Sequence, residues 1–409
     1  MQSMGFPNSA LAMPEACHVP AEEQTLQELF SEPGSSVRLR ERNTLHELLE
    51  QRGRRCVVFG AGSMGRRSLL ALASIGVQPL AVCDNNPDLW GMRVDDTPVL
   101  SPAAAAERFG QDAAFFVAVR NERHSYRATR QQLTQLGCRH ISSADCIAWR
   151  FPEKFLPFLF YDLPHKIYGQ AEQAILAAEL WEDKASRAEY LAQVRLRTLG
   201  DPSELSLPAA RESYFLDGVF DLRPEDVFVD CGAFDGDTIR DVIERQPRFG
   251  KVEAVEADTL SFARLAGYVA SLQPAFRSRI RLHHCAVGAQ RGRVRFEDSG
   301  KVDSKVCDTG ETVVDLVPID AMFASKPVSM IKMDIEGGEF NALLGARKVI
   351  QRDRPILAIC VYHLQNDLWR LPLFMRTMVP DYRMYLRTYR GDGIQTVAYA
   401  VPPERMMQG

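Results

Sequence analysis

The run Asp230-Cys231-Gly232-Ala233-Phe234-Asp235-Gly236-Asp237-Thr238 sets three carboxylates and two glycines directly after the apolar residues Val227, Phe228 and Val229. Strand, tight turn and helix start is the order in which open α/β sheets build ligand sites at their strand ends. A dinucleotide loop carries glycines there so that a pyrophosphate can meet a helix amino terminus. Asp230, Asp235 and Asp237 would repel a pyrophosphate and suit a cation. Glu256, at the end of the next apolar run, can accept both hydroxyls of a ribose. A ligand with a ribose, an ammonium group and no phosphate meets both demands, and S-adenosylmethionine is such a ligand. Asp235 and Asp237 taken singly are equally suited to capping a helix.

A second group of acids lies in Ile331-Lys332-Met333-Asp334-Ile335-Glu336-Gly337-Gly338-Glu339. Asp334 is expected to face the methyl-donor pocket. Glu336 and Glu339 are expected to face the acceptor or to stabilise a helix start. His363 follows the apolar run Ile359-Cys360-Val361-Tyr362 and arrives at the same sheet edge. Methyl transfer to a hydroxyl needs that oxygen deprotonated as it attacks, and a histidine of ordinary pKa can take the proton. Asp367, Trp369, Arg387 and Tyr389 are candidates for an acceptor pocket, with Trp369 equally fit for the core. No ligand set here requires a metal, although Asp334 and Glu336 leave room for a divalent ion.

Tyr214-Phe215, DCGAFDGDT (230–238), AVEAD (254–258), HHCAVG (283–288), IKMDIEGGE (331–339) and VYH (361–363) together resemble FkbM-type S-adenosylmethionine-dependent methyltransferases. The resemblance spans residues 210–402. It implies a class I methyltransferase fold and O-methylation of sugars, polyketides or related natural products. It implies that Asp230, Gly232, Asp237, Thr238 and Glu256 contact the cofactor. YRMYLRTY followed by TVAYAVP resembles the family's closing hairpin.

A separate glycine loop, Gly60-Ala61-Gly62-Ser63-Met64-Gly65, lies between an apolar run and a helical stretch, with Asp84 at the end of the next run. This is the context of a dinucleotide fingerprint. VVFGAGSMGRR followed by AVCDNN resembles Rossmann-like domains placed before sugar-modifying enzymes, which implies a nucleotide or nucleotide-linked sugar at Gly60, Gly62, Gly65 and Asp84. Residues 51–150 contain no Tyr-xxx-Lys pair for hydride chemistry on a sugar, so binding is favoured over catalysis. Two other functions remain open: an NAD-dependent oxidoreductase centred on this first loop, and a non-catalytic protein that senses nucleotides with both sheets.

These residues need elements to position them. Apolar runs ending in glycine or acid alternate with helical stretches over 51–150 and again from Asp226 onward. That alternation predicts two Rossmann-like parallel sheets. Strands are expected at Arg54–Phe59, Gln78–Cys83 and Ala113–Val119 in the first, and at Val227–Asp230, Val252–Glu256, Ile280–His284, Met330–Asp334 and Ile356–Tyr362 in the second. Arg383–Tyr389 and Thr396–Val401 around Gly391-Asp392-Gly393 predict an antiparallel hairpin that closes the second sheet. Residues 151–212, with a long helical tract at Gln170–Leu199, read as a helical connector. The expected domains are therefore an arm and helix (1–50, the first 36 loosely docked), a nucleotide-binding domain (51–150), the connector (151–212) and a methyltransferase domain (213–409).

The 409 residues sum to a charge of −4, which supplies no global attraction to nucleic acid. No apolar run approaches the ~20 residues of a spanning helix, and no secretory leader is recognisable. Nine cysteines without a CxxC pair argue against a disulfide framework and for a reducing cytoplasm. The expected acceptor is a small molecule or glycan, and the oligomeric state is open.

Overall fold

The computed structural model describes residues 21–121, 123–207, 214–296 and 312–407. Residues 1–20 of the expected arm, Cys17, Cys307 and most of Lys301–Val314 lie outside them. The part of the arm that is described is not loose: Ala21–Phe30 is a helix whose Leu26 is fully buried in the core of the second sheet.

The first sheet contains β1 (Cys56–Phe59), β2 (Ala81–Cys83), β3 (Arg93–Val94), β4 (Thr97–Leu100), β5 (Ala114–Val117) and β6 (His140–Ser143), in the order β3-β4-β2-β1-β5-β6. β1, β2 and β5 are buried on both faces and read as unbroken apolar runs. β3, β4 and β6 carry no such run and were not legible.

The second sheet contains β7 (Val227–Cys231), β8 (Lys251–Glu256) and β9 (Ile280–His284). A small separate sheet follows, made of β10 (Ala286–Val287), β11 (Gly292–Phe296) and β12 (Thr312–Val317). The main sheet resumes with β13 (Met330–Met333), β14 (Ile356–Cys360), β15 (Arg383–Thr388) and β16 (Thr396–Val401). Its order is β15-β16-β14-β13-β7-β8-β9, parallel except for β16, which runs antiparallel to both neighbours. The chain runs outward from β7 through β8 and β9, then crosses back to β13 on the other side of β7. That reversal leaves a crevice at the carboxyl ends of β7 and β13, where open sheets bind ligands.

The connector's helical tract is two helices, Ala171–Ala178 and Lys184–Leu199, because Trp181 turns into the core and Asp183 caps the second by accepting from Ser186 N at 2.7 Å. The second helix lies on the closing hairpin, where Ser186 Oγ accepts from Leu386 N at 2.9 Å. The seven described cysteines are all buried and free of disulfides, and no helix among the described residues is long and apolar enough to cross a membrane.

Candidate functional site

At the crevice between β7 and β13 lies a cavity of about 360 Å³, within the ~300–1,000 Å³ usual for small-molecule sites. Gly232, Asp237, Glu256, Asp334 and Glu336 all line it. Four of the carboxylates named from the sequence are thus brought together from β7, β8 and β13.

Gly232 shows why glycine stands there. Its φ is +81°, and a Cβ would lie 1.9 Å from Asp334 O. The ends of β7 and β13 can approach only if that side chain is missing. Gly232→Ala is expected to cost well over the ~1–2 kcal/mol of a left-handed alanine, because the Asp334 carbonyl must also move. Urea denaturation checks this; a midpoint equal to wild type would contradict the close approach.

Glu256 is 8% exposed at the end of β8 and closes the glycine turn. Its Oε2 accepts from Phe234 N and its Oε1 from Asp258 N, both at 2.8 Å. Burial pushes its carboxyl up to about 7 against these two donors. Each oxygen retains a lone pair, so a ribose diol can still be received.

Asp230 and Asp235 are placed elsewhere. Asp230 is fully buried and does not line the cavity; its Oδ1 is 3.0 Å from Lys332 Nζ. Burial pushes Asp230 up to about 6 despite that ammonium. Lys332 also donates to Gly232 O at 2.6 Å and sits over the Tyr214 ring. Burial alone would lower Lys332, but Asp230, Asp334 and Asp237 together raise it. Asp235 points outward to Arg240 at 2.8 Å. Gly236, at φ +90°, makes the turn into the helix Asp237–Arg245, and Asp237 Oδ1 accepts from Thr238 N at 2.7 Å. Thr238 is buried at that helix start.

The second acid group forms a cage around His363. Nε2 is 3.2 Å from Asp334 Oδ1 and 3.5 Å from Glu336 Oε1, while Nδ1 is 2.9 Å from Glu339 Oε1. Burial by itself would depress the imidazole, but Glu339, Asp334 and Glu336 raise it well above an ordinary histidine. The ring does not line the cavity and, enclosed by these three carboxylates, is not the free base expected from its position. Burial by itself would raise Asp334; His363, Lys332 and the Tyr214 hydroxyl hold it below the usual carboxylate range. Tyr214 and Tyr362 donate to its two oxygens at 2.7 and 3.1 Å.

The four acceptor-pocket candidates lie apart from this cavity. Trp369 is fully buried and donates from Nε1 to Gln170 at 3.0 Å, and Asp367 accepts from Leu364 N. Arg387 pairs with Asp183, and Tyr389 with Tyr399. Their places over the site are taken by Phe158 and Leu159 of the connector and by Arg390, Ile394 and Gln395 of the hairpin turn. No local signal marked those five. Lys332 did have one: a charge inside the apolar run of β13 demands a buried partner.

The hairpin turn is held by residues that follow β5 and by the connector. Asp392 accepts from Tyr126 N at 2.8 Å and pairs with His124 Nδ1 at 2.6 Å, while Tyr161 donates to its carbonyl. The first glycine loop is closed on itself. Gly60 has φ +110°, a Cβ on Gly65 would lie 1.8 Å from Gly60 O, and Gly62 precedes the helix Ser63–Ala73. Asp84 accepts from Ala61 N and Asn86 N, each at 2.8 Å.

The family model described as methyltransferase FkbM domain matches residues 230–390. Among solved structures, a methyltransferase FkbM from Methylobacillus flagellatus KT is similar in fold, with a TM-score of 0.70 and 21% identity over 92% of this chain and 100% of that one. A Rex-family repressor, RSP, overlaps 30% of this chain and 66% of its own at 16% identity and a TM-score of 0.21. The glycopeptide N-methyltransferase MtfA, complexed with S-adenosyl-L-methionine, overlaps 44% and 82% at 14% identity and a TM-score of 0.24. Overlaps as slight as these two carry no argument. No curated protein matches the chain.

Proposed function

Residues 230–390 are a methyltransferase FkbM domain, and from that premise we propose that the chain moves the methyl group of S-adenosylmethionine to a hydroxyl of a sugar or natural product. The observation that carries this reading is the acid-lined cavity at the switch point of the second sheet. Glu256 would receive the ribose hydroxyls, Gly232 would let the donor lie against the backbone, and Asp237 would face its ammonium or sulfonium charge. Asp230 acts one layer behind, by fixing Lys332 and through it the Gly232 carbonyl.

In the reaction the acceptor oxygen attacks the methyl carbon in line. The carbon–sulfur bond breaks with its electron pair to sulfur, leaving S-adenosylhomocysteine, and the hydroxyl proton leaves to a carboxylate. Glu336 suits that role: it lines the cavity, whereas both Asp334 oxygens already accept tyrosine hydroxyls. His363 is the neighbour that Asp334 and Glu336 share, with Nε2 at 3.2 and 3.5 Å from them. Glu336→Gln is expected to leave S-adenosylhomocysteine affinity intact and to lower kcat by about 10²–10⁴. Near-normal turnover removes Glu336 from the role.

The first domain serves here as a support for the hairpin turn that roofs the cavity. Asp84 accepts one backbone N–H on each oxygen, as Glu256 does, which leaves a lone pair on each for a ribose. Titration with NAD is the test of a nucleotide at Gly60–Gly65, where saturable heat supports a ligand and its absence removes it. Unpaired buried cysteines fit a reducing compartment, the cytoplasm. The direct test of the function is calorimetry with S-adenosylhomocysteine, then labelled methyl transfer to a panel of sugar and polyketide hydroxyls. Saturable binding with transfer to a hydroxyl is expected. Absence of binding overturns the methyl-donor site, and binding without transfer to any hydroxyl overturns the acceptor class.

A further inference from the structure

Asp334 and Glu336, after β13, and His363, after β14, each offer one ligand atom, and these atoms lie within 4.8 Å of one another. His363 is 4% exposed, yet neither ring nitrogen completes a hydrogen bond. The carboxylate oxygens are close, at 3.2 and 3.5 Å from Nε2, but away from its donor direction. A buried polar nitrogen in that condition is costly unless something else fills the gap. Ligands bound at about 2.0–2.2 Å to one ion are held roughly 3.0–3.5 Å apart, for octahedral to tetrahedral angles. That is the spacing between Nε2 and these two oxygens.

The surroundings fit as well. Glu339 Oε1 is 2.9 Å from Nδ1, on the side of the ring away from the two oxygens. The hydrogen bond is not completed there, but a small turn of the ring would make it the carboxylate that commonly orients a metal-ligating histidine. Glu339 is itself held by Ile335 N, which donates to it at 2.9 Å. Asp334 is oriented by the Tyr214 and Tyr362 hydroxyls. Asp334 and Glu336 open onto the cavity, so a bound ion would meet whatever occupies it.

We propose that Asp334 Oδ1, Glu336 Oε1 and His363 Nε2 bind one divalent cation at the cavity wall. Two carboxylates with one imidazole suit Mn²⁺ and ions like it, since hard oxygen ligands select against soft metals and the imidazole selects against Ca²⁺. Three protein ligands leave positions open for water or an acceptor oxygen. A hydroxyl bound there would become more acidic. That consequence rests on the methyl-transfer reading, whereas the binding itself does not.

The test uses the full chain, stripped with EDTA and titrated with Mn²⁺ alone, with free Mn²⁺ read by electron paramagnetic resonance. One Mn²⁺ per chain is expected, with affinity falling at least ~10-fold in Glu336→Gln and in His363→Gln. Circular dichroism shows that each variant is folded, and Glu336→Gln, at a part-exposed site, serves alone if His363→Gln is not. Wild type that leaves Mn²⁺ free overturns the site, as does a folded Glu336→Gln that binds Mn²⁺ as wild type does. S-adenosylhomocysteine titrated into the same sample reports on the methyl-donor reading separately, so either can fail without the other.

Discussion

Lys332→Met is expected to destabilise the protein by roughly 3–5 kcal/mol, the loss seen when one partner of a buried ion pair is removed. The ammonium is 3.0 Å from Asp230 Oδ1, and that carboxylate is fully buried. Without Lys332, burial would raise the Asp230 carboxyl above the value near 6 that it has with its partner. An acid whose folded pKa is raised contributes stability at low pH and loses it as pH climbs through the folded value. The deficit of the variant should therefore be small near about pH 5 and grow toward about pH 8. Asp230→Asn combined with Lys332→Met should recover most of the loss, since no lone charge then remains. Urea denaturation of both variants across that range is the measurement. Equal stability of the single and double variants, at every pH, would show that the pair is not a closed unit.

Glu256→Gln should weaken S-adenosylhomocysteine binding by about 2–3 kcal/mol, or roughly 30–150-fold, as charge-assisted hydrogen bonds to the ribose become neutral and one acceptor is lost. The fold should suffer less, by about 1 kcal/mol, because a glutamine oxygen still serves one of Phe234 N and Asp258 N. The pH dependence gives a second reading. Burial pushes the Glu256 carboxyl up to about 7, so below that value it is protonated and accepts poorly. Wild-type affinity should rise from about pH 6 to about pH 8, while the free protein loses stability over the same interval, the sign required of an acid raised by folding. Calorimetry that finds the same affinity and the same pH profile in Glu256→Gln would move the ribose elsewhere.

These two residues also separate what could be read early from what could not. Glu256 closes an apolar run and precedes Ala257-Asp258, so its arrival at a strand end follows from residues next to it. The same holds for Gly232 after β7 and for the acids that follow β13. Asp230 looked alike in sequence, also closing an apolar run. Its fate was decided by register: β7 and β13 pair in parallel with Asp230 directly opposite Lys332, and that alignment sets the carboxylate against the Lys332 ammonium at 3.0 Å, behind the cavity lining to which Lys332 belongs. His363 likewise met expectation in place, at the edge of β14, but its character comes from Asp334, Glu336 and Glu339 of a neighbouring segment.

The sequence by itself determined the two α/β sheets, the hairpin that closes the second, and the strand ends at which acids and glycines collect. Those features depend on side-chain alternation, turn chemistry and burial within a few residues, which are local. Only the tertiary structure decided which acids face a ligand, which are paired beneath it, and what covers them. Phe158 and Leu159 reach the cavity from the connector, and Asp392 fastens the hairpin turn to His124 and Tyr126 of the first domain. Contacts across such separations are set by strand order and register, and the charge state of each buried group follows from the partners that those place beside it.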